Sequence, residues 1–187
     1  FLLSLQPKNN TNMQRIFLTG YMGAGKTTLG RDLSDFLGLS FIDLDVFIEE
    51  RFHKTIRQIF AERGEEAFRE LERRMLHEVA EFEDIIVSTG GGTPCFFDNM
   101  SFMNACGQTV YLRVSIDELA ARLEMARQTR PVLQNRTGET LKAFIRESLE
   151  SRLPFYEQAR FIFDAETMDT HDDVRKLSER LAQILAQ

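Results

Sequence analysis

The chain has 187 residues, 43% of them hydrophobic and 28% charged, enough for one globular domain with a buried core. Its 29 acidic and 23 basic side chains leave a net charge of −6, so nothing in the composition calls for nucleic acid, whose phosphates need a basic surface. The two cysteines, Cys95 and Cys106, have neither zinc nor disulfide-framework spacing, and no apolar run reaches the length of a membrane span, so a soluble protein of the reducing cytoplasm is expected.

Residues 1–12 begin without Met, turn polar after Leu5 and precede Met13. Phe1-Leu2-Leu3-Ser4-Leu5 is too short for the apolar region of a signal peptide. We expect translation to start at Met13, a leader outside the fold, and one domain over 13–187. Arg15-Ile16-Phe17-Leu18-Thr19 is β-branched and aromatic and predicts a strand. Gly20-Tyr21-Met22-Gly23-Ala24-Gly25-Lys26-Thr27 follows and fits the phosphate-loop pattern G-x-x-x-x-G-K-[ST]. Leu29, Leu33, Phe36 and Leu37 then recur at helical spacing, and Gly38 can close that helix.

Strand, glycine loop and helix is the arrangement phosphate binding needs. Backbone N–H groups can approach the phosphates, and the helix N-terminus adds partial positive charge. Lys26 would reach the β- and γ-phosphates and the Thr27 hydroxyl would bind Mg²⁺. Gly23, Ala24, Gly25 and Thr28 complete the candidate ATP contacts. The bland alternative is a glycine-rich turn that happens to hold Lys-Thr.

Ser40 to Asp45 reads as a second strand closed by two carboxylates, with a short helix over 46–52 and another over 56–62. A longer helix starts at Gly64, with Phe68, Leu71, Met75, Val79 and Phe82 on its inner face. Ile85-Ile86-Val87-Ser88 is a third strand that opens into Gly90-Gly91-Gly92. A helix near 97–104, a strand over 109–114 and a helix to Met125 follow, with Ser115 and Asp117 as its possible caps. Residues 126–137 read as a mobile lid. A helix from Glu139 to Ser151 is interrupted by Pro154, Phe161-Ile162-Phe163 is a fifth strand, and 174–185 is a closing helix. Such alternation predicts an α/β fold in three layers around a five-stranded, mainly parallel sheet. The phosphate loop, the Asp pair and the glycine triplet each follow a strand, so they should meet at its carboxyl edge.

Asp43 and Asp45, two apart on a strand, would share one face. One could serve Mg²⁺ and the other accept a hydroxyl proton. Alternatively, the pair caps the next helix. Arg69 lies in a Glu-rich helix, where a surface ion pair with Glu65 is the simpler reading. Gly90–Gly92 suits a ligand that must touch backbone, or is a loose loop. Arg122, Arg127, Arg130, Arg136 and Arg152 could fork onto phosphate or carboxylate, or form a solvated face. His53, His77 and His171 show no ligand spacing.

These segments, with Arg130-Pro131-Val132-Leu133 and Arg152-Leu153-Pro154-Phe155-Tyr156, stand in the order of the shikimate kinase family and together resemble it over roughly residues 13–165. The resemblance implies a P-loop fold of the nucleoside-monophosphate-kinase type and ATP-dependent phosphorylation of the 3-hydroxyl of shikimate, within aromatic amino acid biosynthesis. It implies Lys26 on phosphate, Thr27 and Asp43 on the Mg²⁺ side, and Asp45 binding the substrate hydroxyl and taking its proton. Arg69 and Arg152 resemble the pair that grips the shikimate carboxylate, and Gly91 a backbone contact to substrate. Arg130 resembles the lid arginine and Arg122 the arginine stacked on adenine. A monomer is expected, with no nucleic-acid or membrane partner. The segment Asp164 to Asp173 matches the family poorly, and no base-binding residue is assigned there. A gluconate-kinase-like enzyme is the alternative reading. A nucleotide-dependent switch is a more distant one, since the guanine-recognition segment Asn-Lys-x-Asp is absent.

Overall fold

The computed structural model describes residues 14–126 and 136–187. The leader and most of the lid, Arg127 and Arg130 included, lie outside those residues. Five strands form one parallel sheet in the order β2-β3-β1-β4-β5. They are β1 (Arg15–Thr19), β2 (Ser40–Asp43), β3 (Ile85–Ser88), β4 (Gln108–Arg113) and β5 (Phe161–Asp164). Seven helices connect and flank them among the described residues: α1 (Lys26–Leu37), α2 (Leu44–Phe52), α3 (Ile56–Val79), α4 (Asn99–Cys106), α5 (Ile116–Met125), α6 (Gly138–Tyr156) and α7 (His171–Leu185).

β1 is central and its residues Ile16 to Thr19 are fully buried. Its neighbours alternate with a period of two. Ile16 and Leu18 join Leu29, Leu33, Leu177 and Leu181 in one core, while Phe17 joins Phe68, Met75 and Leu76 in the other. A strand covered on both faces has no polar side, which is why β1 and β3 read as unbroken apolar runs.

Four local expectations need correction. β2 stops at Asp43 because the Asp43 carboxylate caps α2: its Oδ1 accepts from the N–H groups of Asp45 (3.1 Å) and Val46 (3.4 Å). Asp45 therefore sits in the first turn of α2, and the two carboxylates do not share a strand face. α6 runs through Pro154 instead of ending before it. Glu150, whose carbonyl loses its donor there, is exposed, and the buried Tyr156 holds the last turn inward. Phe82 lies beyond α3 and is 45% exposed, so it is no part of that helix's inner face. At α5 the cap is Ser115, whose Oγ accepts from Glu118 N–H, while Asp117 pairs with Lys142. The two helices expected on either side of Gly64 are both present within α3, separated by the non-helical backbone of that residue (φ 78°, ψ 173°).

Candidate active site

The loop between β1 and α1 opens a cleft of about 450 Å³ at the carboxyl edge of the sheet. Gly25 stands at φ 90°, a left-handed conformation that suits glycine, and from there the chain enters α1. The N-terminus of α1 has no side-chain cap and no acidic residue in its first turn. By contrast, α2, α3, α5 and α7 each receive a side-chain cap. A helix start without a side-chain cap or an acidic first turn suits an anion. Lys26 Nζ donates to the carbonyls of Gly20 and Tyr21, both at 2.9 Å, which folds its ammonium back over the loop.

Capping α2 uses only one oxygen of the Asp43 carboxylate. While Oδ1 caps α2, Oδ2 accepts from the Thr27 hydroxyl at 2.6 Å. β2 pairs with β3 so that Asp43 is level with Ser88, two residues before the glycine triplet. Asp45 is mostly buried beside it. Burial, then the neighbouring charges of Asp43 and Glu72, push its carboxyl from an ordinary 3.8 up to about 6, and Lys26 only partly offsets them. That places a carboxylate near neutrality in a cleft beside a phosphate loop.

The glycine triplet lines the opposite wall, and each glycine faces a charged side chain at close range. A Cβ built on Gly90 would stand 3.0 Å from Asp45 Oδ1 and 3.0 Å from Glu72 Oε1. One on Gly91 would stand 3.4 Å from an Arg152 nitrogen, and one on Gly92 would stand 2.9 Å from both terminal nitrogens of Arg69. The glycines are there because side chains from three other elements crowd the backbone.

Arg69 is not the surface residue that its helix suggested. Its side chain is 14% exposed and lies 2.9 Å from Glu72, which is 2% exposed, with Glu65 a more distant partner at 3.5 Å. Glu72 is fixed in turn by the Thr93 hydroxyl, which donates to Oε1 at 2.6 Å. Arg69 Nε is buried and has no hydrogen-bond partner among the described residues, so this guanidinium retains a donor for a ligand. Arg152 approaches from α6, over the ring of Tyr21 at 5.4 Å. Tyr156, one turn on, donates its hydroxyl to the Gly91 carbonyl at 2.5 Å, and burial pushes its phenol well up.

Across the loop from this wall, Arg122 joins the cleft to the segment after β5. Its Nη2 donates to the carbonyls of Glu166 (2.6 Å) and Ala165 (3.1 Å), Nη1 lies 3.5 Å from those of Gly23 and Ala24, and Nε pairs with Glu118. Met168 and Asp169 from the same segment line the cleft, and Met168 packs against Gly25. Among the described residues no three His, Cys, Asp or Glu side chains gather as a metal cluster, and no helix is long and apolar enough to cross a membrane.

A family model described as shikimate kinase matches residues 22–182. The chain belongs to the shikimate kinase family. A shikimate kinase from Parabacteroides distasonis is 66% identical over 173 residues, covering 92% of this chain and 100% of that protein. One from Phocaeicola vulgatus is 57% identical, covering 92% and 99%. Among solved structures, shikimate kinase from Bacteroides thetaiotaomicron superposes with a TM-score of 0.91 at 55% identity, covering 94% of this chain and 100% of that one. Shikimate kinase from Acinetobacter baumannii in complex with shikimate superposes with a TM-score of 0.81 at 34% identity, covering 94% of each chain.

In this shikimate kinase family member, Lys26, Thr27, Thr28, Asp43, Asp45, Gly91 and Arg122 all line one cleft, as do Gly23 and Gly25. Arg69 and Arg152 are not among its lining residues; they stand against Gly92 and Gly91 of the triplet. Ala24 is buried beneath the loop, and Arg130 lies outside the described residues. Sequence reasoning assigned no role to Glu72, Tyr156, Met168 or Asp169. For Glu72 a signal existed: it falls on the apolar stripe of Phe68, Met75 and Val79, where an unpaired carboxylate would be costly. Nothing periodic marks Met168 and Asp169, which sit in a loop.

Proposed function

We propose that the chain transfers the γ-phosphoryl group of ATP to the 3-hydroxyl of shikimate, giving shikimate 3-phosphate and ADP, with the residues of this cleft in the roles that follow. One observation carries the site assignment: a single glycine triplet beside the phosphate loop lies against Asp45, Arg152 and Arg69 at once. A poised carboxylate and two guanidinium groups around one wall suit a small anion that also presents hydroxyls.

The first N–H groups of α1, with Lys26 and Thr28, cradle the phosphates, with Gly23, Ala24 and Gly25 giving the backbone access. Arg69 and Arg152 fork onto the acceptor carboxylate, and the backbone of Gly91 touches the acceptor ring. Asp45 accepts the proton of the 3-hydroxyl as its oxygen bonds to the γ-phosphorus and the bond to the ADP oxygen breaks. A carboxylate held near pKa 6 is ionised at neutral pH and still basic enough for this task. Positioning carries most of the catalysis, since phosphoryl transfer asks little covalent chemistry of the protein. Arg122 and Arg130 serve the nucleotide, the latter from a lid over 126–137 in a single domain of 13–187.

Mg²⁺ fits the donors present. Thr27 Oγ1 and Asp43 Oδ2, 2.6 Å apart, are two hard oxygens, a small donor set that suits an ion keeping waters and phosphate oxygens as its other ligands. Thr27 and, through water, Asp43 would hold it. When bound, it neutralises charge on the β- and γ-phosphates. We take the enzyme to act as a cytoplasmic monomer on ATP and shikimate, without nucleic acid or membrane; sedimentation velocity tests the first point.

The test is coupled ADP release from purified protein with Mg²⁺-ATP and shikimate, quinate, gluconate or no acceptor. Release only with shikimate is expected. Release with gluconate, which also carries a carboxylate, would overturn shikimate as the acceptor without touching the carboxylate role of Arg69 and Arg152, and release without acceptor would favour a switch.

A further inference from the structure

Phe96 and Phe97 belong to none of the motifs above, yet they follow the glycine triplet at the rim of the site. We propose that Phe96 is a positioning residue for Arg69: its ring holds the guanidinium plane in the orientation that receives the acceptor carboxylate. This rests on the carboxylate role just given to Arg69.

The guanidinium carbon of Arg69 lies 4.1 Å from the centroid of the Phe96 ring, nearer than to Phe68 (5.2 Å) or Phe60 (5.5 Å). Glu72 and Glu65 hold Arg69 by hydrogen bonds, at 2.9 and 3.5 Å. Two carboxylates at the edge fix where the group is but leave it able to rock about the line joining them. A ring 4.1 Å from the guanidinium carbon restricts that rocking and is itself attracted by the charge.

The backbone is built to deliver the ring. Phe96 is extended (φ −116°, ψ 146°), and Phe97 turns left-handed at φ 52°, which a residue with a Cβ rarely adopts. The turn sends Phe96 toward Arg69 and leaves Phe97 53% exposed. Three contacts hold the strained residue in place. The buried Asn99 donates its side-chain N–H to the Thr93 carbonyl at 2.9 Å, Arg73 pairs with Asp98 at 2.8 Å, and Arg73 covers the Phe97 ring at 5.4 Å. Strain kept this way at the edge of a site is evidence of use.

The experiment is steady-state kinetics on Phe96→Leu, Phe96→Tyr and a protein carrying pentafluorophenylalanine at position 96, which keeps the ring's shape and reverses its quadrupole. We expect the KM for shikimate to rise about 3- to 20-fold in the leucine and fluorinated proteins, with the tyrosine variant near wild type. In each, kcat and the KM for ATP should stay within about twofold, a split that general loosening of the loop would not give. An unchanged KM for shikimate in the fluorinated protein, or an equal rise in the KM for ATP, overturns the proposal. If wild-type protein does not use shikimate, the functional reading has failed, and the contact is still tested by the ¹⁵N-edited spectrum of the Arg69 guanidinium. A ring-current shift lost in Phe96→Leu supports the contact; identical spectra refute it.

Discussion

Replacing Asp45 by Asn should stabilise the ligand-free protein while disabling it. Asp45 releases its proton near 3.8 when solvated and near 6 in the fold. Between those values the folded chain binds the extra proton, so stability falls as pH rises through the window, and the loss is complete above about pH 6. A shift of about two units corresponds to roughly 3 kcal/mol as a ceiling. Because Asp45 keeps some contact with solvent, we expect about 1–2 kcal/mol. Asparagine keeps the shape and removes the charge, so at pH 7.5 Asp45→Asn should unfold at higher urea, with a Tm gain of about 3–6 °C for a domain of this size. Lowering the pH to 4.5 should shrink that gain to about a third, since the wild-type carboxyl is then protonated in the fold. The assay is paired urea and thermal melts of both proteins at the two pH values. Equal stability at pH 7.5, or a gain of the same size at both, would refute the reasoning.

The same substitution should lower kcat with shikimate about 10²- to 10⁴-fold while leaving ATP affinity nearly unchanged, measured by coupled ADP release and nucleotide titration. Arg69→Ala should cut kcat/KM for shikimate roughly 10- to 1,000-fold with ATP binding retained. It should also lower the Tm, because Glu72 then stays buried without its cation. Gly92→Ala puts a methyl 2.9 Å from both terminal nitrogens of Arg69 and should cost roughly 10- to 100-fold in kcat/KM for shikimate, with little change in the melt. Tyr156→Phe leaves the Gly91 carbonyl without its donor and should lower stability by about 1 kcal/mol, read by urea unfolding.

Much of this architecture is legible in the residues. A buried parallel strand has no polar face, so β1 and β3 announce themselves, and the phosphate loop between β1 and α1 needs only its glycines and Lys-Thr to be seen. Strand order is not legible, because it depends on which crossovers skip a neighbour. The Asp43–Asp45 geometry was misread for a local reason. A carboxylate that can cap a helix ends the strand before it, so side-chain hydrogen bonding overrode the apolar run. Arg69 was misjudged from composition alone, since a Glu-rich helix looks solvated until its face is known. Here only the family resemblance pointed inward. Pro154 misled because a proline near a helix's end costs little when the stranded carbonyl meets water.

The strand order has a consequence for how such an enzyme can change. β2 and β3, with α2 and α3, bring Asp45, Arg69 and the glycine triplet to one flank of the loop, while the segments after β4 and β5 bring Arg122 and Met168 to the other. β1 between them is shared. On the roles proposed above, exchanging the acceptor calls mainly for substitutions on one half of the sheet. That partition leaks at Arg152, which crosses from α6 to the glycine triplet, and at Asp43, which ends β2 yet faces Thr27.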